Sequence, residues 1–268
     1  MQKVDDTSAD IFIQGDIVSE QWDESDTSAK SFRDGLKELG NIPQLNVHIN
    51  SAGGSVFDGI AIENMLKQSS SQVNVYIDGL AASIASVIAM GGDTIFMPSN
   101  AMMMIHMPWT MTMGNAKDMR KSADDLEKIA ESSIITYLDK AGDKLDRSTL
   151  IQLMNDETWL TADEAVEYGL ADEVLEPVTV AASLDSEFLQ KYSHVPTSLL
   201  QKDDNSDVKK SDEDTDDDPK KKNKDKSKPD DSKSGNDDET DDDKKKQQKL
   251  AERSKKIALQ LKEIYNYD

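Results

Sequence analysis

The chain has 268 residues, of which 36% are hydrophobic, and its formal net charge is −22. This negative charge repels polyphosphates and argues against a nucleic-acid-binding surface, and the absence of cysteine excludes disulfides, thiolate metal ligands and a cysteine nucleophile. The N-terminal stretch has no apolar signal core and no segment has the length of a membrane span, so we expect a cytoplasmic protein that binds neither nucleic acid nor membrane.

Short apolar runs alternate with amphipathic helical patterns through most of the chain. This alternation predicts an α/β fold with mostly parallel strands. Residues 1–10 are polar and expected to be loose, residues 50–59 form a glycine-rich turn, and Asp78 with Gly79 forms a tight turn. Strands are predicted at 11–13, 45–49, 73–77, 94–97, 101–106 and 174–180, and helices at 28–39, 60–67, 83–90, 114–141, 148–154 and 161–168.

The composition changes near residue 200. We therefore predict a folded domain at residues 1–200. Residues 201–246 are dominated by charged and small polar side chains, and they bury too little apolar area to offset their chain entropy, so we predict a disordered linker. Residues 247–268 carry apolar side chains at helical spacing and predict an amphipathic helix that needs a partner surface.

Ser83 lies between a β-branched strand and an apolar helical segment. At the start of a helix, unpaired backbone N–H groups and the helix dipole stabilise negative charge, so a hydroxyl there suits a nucleophile. Serine is also a preferred N-cap residue. This segment alone leaves both interpretations open.

A serine nucleophile needs a base, an orienting acid and oxyanion donors. His106 ends a predicted strand, where α/β proteins place catalytic groups, whereas His48 lies inside a strand and His194 in a polar stretch before the tail. His106 is therefore the candidate base, with a purely structural histidine as the alternative.

Two consecutive glycines, Gly53 and Gly54, follow the strand at 45–49. They allow backbone N–H groups to approach a ligand, although a plain turn before a helix has the same pattern. The second oxyanion donor would be the N–H of Ile84, directly after the candidate nucleophile.

Four blocks together resemble the proteolytic subunit of the Clp protease over residues 11–178: INSAGGSV, GLAASIAS, MMIHMP and ETWLTADEAVEYGLADEV. IFIQGDI, NSAGGSVFDGIAIENMLK and ETWLTADEA further resemble the ClpP-related head maturation proteases of tailed phages. The resemblance implies an α/β fold of the ClpP/crotonase type, with stacked ββα units, a projecting helical handle at 114–141, and ring-shaped homo-oligomers.

By the same resemblance, Ser83 is the nucleophile, His106 the general base, and Gly54 and Ile84 the oxyanion donors. The orienting acid departs from the family pattern. In the bacterial subunit an Asp stands three residues before the Leu that matches Leu160, and in this chain that position holds Glu157. Asp156 and then Asp172 are the alternatives. Ala52 replaces a usual proline, with little expected consequence.

These observations predict a serine endopeptidase without metal or organic cofactor. The phage-like form would cleave capsid or scaffold proteins inside a prohead, with the helix at 247–268 docking on such a protein. One alternative is general protein turnover with an ATP-dependent unfoldase. A second alternative is a crotonase-type acyl-CoA enzyme. The Ser83 and His106 pair argues against it, and so does the negative net charge, because CoA carries phosphates. A non-catalytic scaffold or ring component is the third.

Overall fold

The structure is a computed structural model, and it describes residues 1–177, Tyr192 and residues 194–196. The predicted linker at 201–246, the predicted helix at 247–268 and residues 178–180 of the strand predicted at 174–180 lie outside the described residues. Residues 176–177 of that prediction are described and do not belong to a strand.

A mixed sheet organises the described part of the chain, where eight strands follow the order β1-β2-β3-β4-β5-β8, with β6 paired to β4 and β7 paired to β6. All pairs from β2 through β5 to β8, and the β4–β6 pair, are parallel, while β1 and β7 pair antiparallel with their neighbours. The mostly parallel α/β prediction is confirmed. The strands are β1 (Gln2–Lys3), β2 (Ser8–Ile17), β3 (Gln44–Gly54), β4 (Gln72–Ala82), β5 (Thr94–Pro98), β6 (Met102–Ile105), β7 (Thr158–Thr161) and β8 (Glu173–Leu175).

The helices agree closely with the sequence patterns. Thr161 caps the last of them through the expected capping box with Glu164. No helix in the described part combines the length and the apolar character that crossing a membrane requires. The helices are α1 (Ala29–Leu39), α2 (Val56–Lys67), α3 (Ile84–Ala89), α4 (Ala116–Ala141), α5 (Arg147–Asn155) and α6 (Ala162–Glu167).

Three local predictions were wrong because strand pairing extends further than the apolar runs suggest. Residues 8–10 belong to β2, and residues 50–54 continue β3 instead of forming a turn. Asp78 and Gly79 do not end β4. They lie in a bulge where residues 78–80 stand opposite Asn50, and the Asn50 side chain accepts the Leu80 N–H at 3.1 Å. The short strands β1 and β7 were not predicted.

The bulge lets β4 continue to Ala82 and pair with β6, where Ala82 stands opposite Met104. Beneath the sheet, α2 and α3 cover a core of aliphatic side chains from β2 to β6. Burial of this apolar area supplies most of the driving force for the fold. The carboxyl ends of β3, β4 and β6 therefore meet at one edge of a rigid layer.

The opposite face of the sheet carries a row of aromatic rings, called here the aromatic row. Phe12, His48, Tyr76 and Phe96 are register partners on β2 to β5, and neighbouring rings stack with centroids 4.9–5.1 Å apart. His48 also bonds Asp78 through Nδ1 at 2.9 Å. The prediction that His48 is a sheet-face residue is confirmed.

Helix α4 is anchored at one end only. Ala130, Ile134, Tyr137 and Ala141 are buried in its second half, whereas the first half and the loop before it are exposed. The projecting helical handle is therefore confirmed as part of the fold.

The anchored half of α4 contacts the segment that holds Ser83. Ser86 Oγ donates to the Ser83 carbonyl at 2.6 Å and lies 2.7 Å from the Tyr137 hydroxyl. Ser86 has a single hydroxyl hydrogen, so Tyr137 is the donor to Ser86 Oγ. Complete burial raises the pKa of Tyr137, which therefore keeps its proton as this donor requires.

Replacing Tyr137 by Phe should lower the free energy of unfolding by about 1–2 kcal/mol, because Ser86 Oγ loses a buried hydrogen-bond donor. Urea denaturation measures the change. Tyr168→Phe is the control, because Tyr168 is only partly buried and no hydrogen bond of its hydroxyl is seen among the described residues. An equal loss in both variants would contradict the assignment of this bond.

Candidate active site

Ser83 and His106 directly follow strands that pair in parallel. Ser83 comes after β4, and His106 comes after β6. Because Ala82 stands opposite Met104, the residues just beyond the two strands are neighbours at the same sheet edge. Ser83 Oγ lies 2.6 Å from His106 Nε2. The structure thus brings together the two residues that the sequence offered as nucleophile and base.

The backbone of Ser83 has an unusual conformation, with φ 55° and ψ −128°. Non-glycine residues rarely adopt positive φ, and such residues cluster at functional sites. Ser83 does occupy the N-cap position of α3, but its side chain makes no capping hydrogen bond. The interpretation of its hydroxyl as a helix cap is wrong, because the turn aims Oγ at His106 instead.

Gly53 and Gly54 bring the end of β3 against the Ser83 turn. A Cβ atom on Gly53, whose φ is 96°, would lie 2.8 Å from both the Ala82 carbonyl oxygen and Ser83 Cβ. Only glycine permits this approach. Gly54 lines the same cavity as Ser83 and His106. The backbone N–H groups of Gly54 and Ile84 therefore belong to segments in contact with the Ser83 turn.

His106 is largely enclosed, and this burial lowers the pKa of its imidazole, while the negative charge of Glu157 acts in the opposite direction. The ring is therefore neutral at neutral pH. With the ring hydrogen on Nδ1, Nε2 accepts the hydrogen bond from the Ser83 hydroxyl. A neutral imidazole in this position can take the Ser83 proton.

Glu157 lies between α5 and β7 and is, apart from Ser83, the one described non-glycine residue with positive φ, at 51°. Its Oε1 accepts the backbone N–H of His194 at 2.8 Å. Among the described residues no hydrogen bond joins Glu157 to His106, although the charge of Glu157 acts on the pKa of His106. Glu157 is thus close to the pair but is bonded elsewhere.

The two alternative carboxylates have other surroundings. Asp156 is exposed at the C-cap of α5. Asp172 accepts from the Ile95 N–H and from Lys140 Nζ, both at 2.7 Å. Ile95 is level with Val75 near the start of β4, so Asp172 lies at the other end of the strands from Ser83. The structure does not bring Asp172 into the cluster.

Sequence reasoning missed Tyr192. Its ring meets His106 edge-on with centroids 5.3 Å apart, and its hydroxyl donates to the Ala52 carbonyl oxygen. Burial raises the pKa of Tyr192 to about 12. The only sequence signal for Tyr192 was its presence in the polar stretch before the tail, and no helical or strand periodicity there predicted its position.

The cluster encloses a cavity of about 130 Å³. A hydroxyl, a neutral imidazole and the glycine at the end of β3 line it together, and a hydroxyl beside a neutral imidazole is an arrangement that suits acyl transfer. Within the described residues, no group of three or more His, Asp or Glu side chains is placed to hold a metal ion. The cavity is lined by Gly54, Val56, Ser83, His106, Pro108, Trp109 and Tyr192.

Proteins of similar sequence include proteolytic subunits of the ATP-dependent Clp protease. The ATP-dependent Clp protease proteolytic subunit of Bacteroides fragilis is 34% identical over 135 residues, which are 49% of this chain and 63% of that protein. Subunit 1 from Chlamydia abortus is 32% identical over 156 residues, covering 54% of this chain and 80% of that protein. The chain thus spans less than two thirds of the length of the Bacteroides protein.

A solved structure agrees at the level of the fold. A mutant ClpP1 from Listeria monocytogenes matches with a TM-score of 0.53 and 24% sequence identity, over 62% of this chain and 91% of that one. The family model described as Clp protease matches residues 8–178, which contain every strand and helix from β2 to β8. The chain belongs to the Clp protease family.

Proposed function

We propose that this chain is a serine endopeptidase of the ClpP type. The observation that carries the proposal is the 2.6 Å contact between Ser83 Oγ and His106 Nε2 at the carboxyl ends of paired strands. The strained Ser83 backbone and the low pKa of His106 support it, since a nucleophile must be presented and its base must be neutral.

In this mechanism Ser83 Oγ attacks the peptide carbonyl while its proton passes to His106 Nε2. The N–H groups of Gly54 and Ile84 stabilise the oxyanion of the tetrahedral intermediate. His106 then gives the proton to the leaving amine, and an acyl-enzyme remains on Ser83. Water, deprotonated by His106, hydrolyses the acyl-enzyme and restores the Ser83 hydroxyl.

Glu157 is the proposed orienting acid. Its carboxylate would accept from His106 Nδ1, fix the tautomer and stabilise the imidazolium that forms during attack. The support is its charge acting on the pKa of His106, together with a positive-φ backbone that holds Glu157 beside the cluster. The Ser83 and His106 pair counts against a crotonase-type enzyme and against a non-catalytic scaffold, because neither needs this pair.

Ser83→Ala and His106→Ala should abolish cleavage of a fluorogenic peptide, and Ser83→Ala should also abolish labelling by a fluorophosphonate probe. Glu157→Gln should lower kcat/KM by at least about tenfold, because the imidazolium loses its partner. Asp156→Asn is the matched control, since that neighbouring carboxylate is exposed. Undiminished turnover by Ser83→Ala would refute the proposal, and a larger loss in Asp156→Asn would move the acid to Asp156.

The pH dependence follows from the environment of His106. The base is active when neutral, so kcat/KM should rise with pH and level off, with an inflection below 6.5, the ordinary pKa of histidine. Glu157→Gln should move this inflection further down, because the Glu157 charge raises the pKa of His106. An inflection above 6.5 in the wild type, or an upward shift in the variant, would contradict this electrostatic arrangement.

For the substrate class, we propose capsid or scaffold proteins cleaved during phage head maturation. The support is the resemblance of IFIQGDI, NSAGGSVFDGIAIENMLK and ETWLTADEA to head maturation proteases. Neighbouring portal and major capsid genes, and cleavage of that capsid protein by the wild type but not by Ser83→Ala, would support this role. The protein would then act in the host cytoplasm or the prohead, with residues 247–268 docking on the capsid or scaffold partner through the 201–246 linker.

The second candidate is general protein turnover with an ATP-dependent unfoldase. The names of the relatives from Bacteroides and Chlamydia include ATP dependence. The aromatic row also favours a partner, because its four rings are contiguous and all at least partly exposed. ATP-dependent degradation of a folded protein in the presence of a host unfoldase, with no cleavage of the capsid protein, would select this candidate.

We also propose that the chain forms a homo-oligomeric ring. The exposed end of the handle and the loop before it present large apolar side chains, which a contact between copies would cover. Met111 is 88% exposed and Met113 75% exposed, and Trp109 and Met119 are exposed nearby.

Met111→Glu combined with Met113→Glu should shift the protein to a smaller assembly, because two charges would be buried in the contact. Sedimentation velocity measures the change. Lys37→Glu is the control, because Lys37 is exposed on α1 and not on the handle. An unchanged assembly in the methionine variant would show that the handle tip is not in the contact.

A further inference from the structure

A segment outside the matched family region lies across the candidate active site. Its described residues are Tyr192, His194, Val195 and Pro196, called here the strap. The Tyr192 ring stands edge-on to His106, its hydroxyl donates to the Ala52 carbonyl oxygen, and Tyr192 lines the same cavity as Ser83. The strap therefore lies against the candidate base and beside the candidate nucleophile.

Two further contacts hold the strap. The backbone N–H of His194 donates to Glu157 Oε1 at 2.8 Å. Val195 and Tyr192 pack on a small apolar cluster, separate from the main core, that is formed around Leu80, Ala82 and Met104. One anchor thus binds the candidate acid, and the other covers apolar surface beside the Ser83 turn.

The strap leaves little room for a substrate. Tyr192 forms one wall of the cavity around Ser83, whose volume is about 130 Å³. Pockets that hold drug-sized ligands measure about 300–1,000 Å³, and an endopeptidase must accept several residues of an extended chain, so this cavity is smaller than a peptide site requires. Tyr192 thus occupies part of the space beside Ser83 that a peptide substrate would need.

We propose that the strap is an autoinhibitory element that occupies the substrate cleft and withholds Glu157 from His106. The inference rests on the proposed function and names how that site is regulated. When the strap leaves, the cavity opens, the Ala52 carbonyl becomes free to accept from a substrate, and the Glu157 carboxylate becomes free to accept from His106 Nδ1. Release thus exposes the nucleophile and completes the triad in one step.

The closed arrangement also contains an unsatisfied polar group. Trp159 Nε1 is buried and, among the described residues, has no hydrogen-bond partner. Trp159 packs in the same cluster as Val195 and lies edge-on to Tyr192, with ring centroids 6.1 Å apart. Tyr192 and Val195 therefore pack with Trp159 in the closed arrangement.

The test uses the full-length chain and measures two rates, labelling of Ser83 by a fluorophosphonate and cleavage of a fluorogenic peptide. Tyr192→Ala removes the wall of the cavity and should raise both rates by about tenfold or more, which corresponds to about 1.4 kcal/mol. His194→Pro removes the N–H that holds Glu157 and should raise peptide cleavage while leaving the thermal unfolding midpoint in place. His194→Ala keeps that N–H and should give the wild-type rates, because the His194 side chain is exposed.

Tyr192→Phe separates a blocking role from a chemical one. It keeps the ring but loses the bond to Ala52, so the strap model expects a rise smaller than that of Tyr192→Ala. If Tyr192→Phe and Tyr192→Ala both lower the rates, Tyr192 assists the reaction and the strap proposal is overturned. It is also overturned if wild type and Tyr192→Ala react equally fast.

The variant Ser83→Ala gives the rates without the proposed nucleophile, and it distinguishes a failure of the strap proposal from a failure of the proposed function. If the wild-type rates depend on Ser83 but do not respond to the strap variants, only the strap proposal falls. If neither wild type nor Tyr192→Ala shows any Ser83-dependent labelling, the proposed peptidase function fails, and the strap proposal falls with it.

Discussion

The parallel pairing of the end of β4 with β6 is the constraint on which the site depends. It places Met104 opposite Ala82, and the Ser83 N–H donates to the Met104 carbonyl at 2.9 Å. This bond fixes the backbone at the point where β4 ends and helix α3 begins, and it holds Ser83 close to His106, which follows β6. Without this pairing, two residues 23 positions apart in the chain would have no reason to meet.

Close packing around Ser83 stabilises its unusual backbone conformation. The end of β3 reaches the Ser83 turn only because Gly53 has no side chain, and Ser86 ties the Ser83 carbonyl to the handle through Tyr137. Positive φ at a serine costs free energy, so it persists where the surroundings determine it from several sides. The handle thus serves the site as well as projecting from it, since its anchored half supports the Ser83 turn.

The electrostatic state of the site depends on burial and on where the Glu157 charge is directed. Burial keeps His106 neutral, and the negative charge of Glu157 opposes that effect without a hydrogen bond between the two among the described residues. The Glu157 carboxylate accepts a hydrogen bond from the His194 N–H of the strap. In the regulation proposed above, the position of this short segment decides whether the Glu157 carboxylate is available to His106.

The sequence by itself determined the α/β class, most helices and the Ser83 and His106 pair, because apolar periodicity and residue type are local properties of the chain. It did not locate the bulge at Asp78 and Gly79 or the strand β7, because these depend on pairing with distant strands, here Asn50 in β3 and the residues of β6. It also placed Asp172 among the candidate acids, although Lys140 and the Ile95 N–H hold that carboxylate near the start of the strands. Only the tertiary structure showed that the Ser83 hydroxyl contacts His106 instead of capping a helix. It alone showed that Tyr192 packs beside this pair. Such contacts form between segments far apart in sequence, and no local pattern records them.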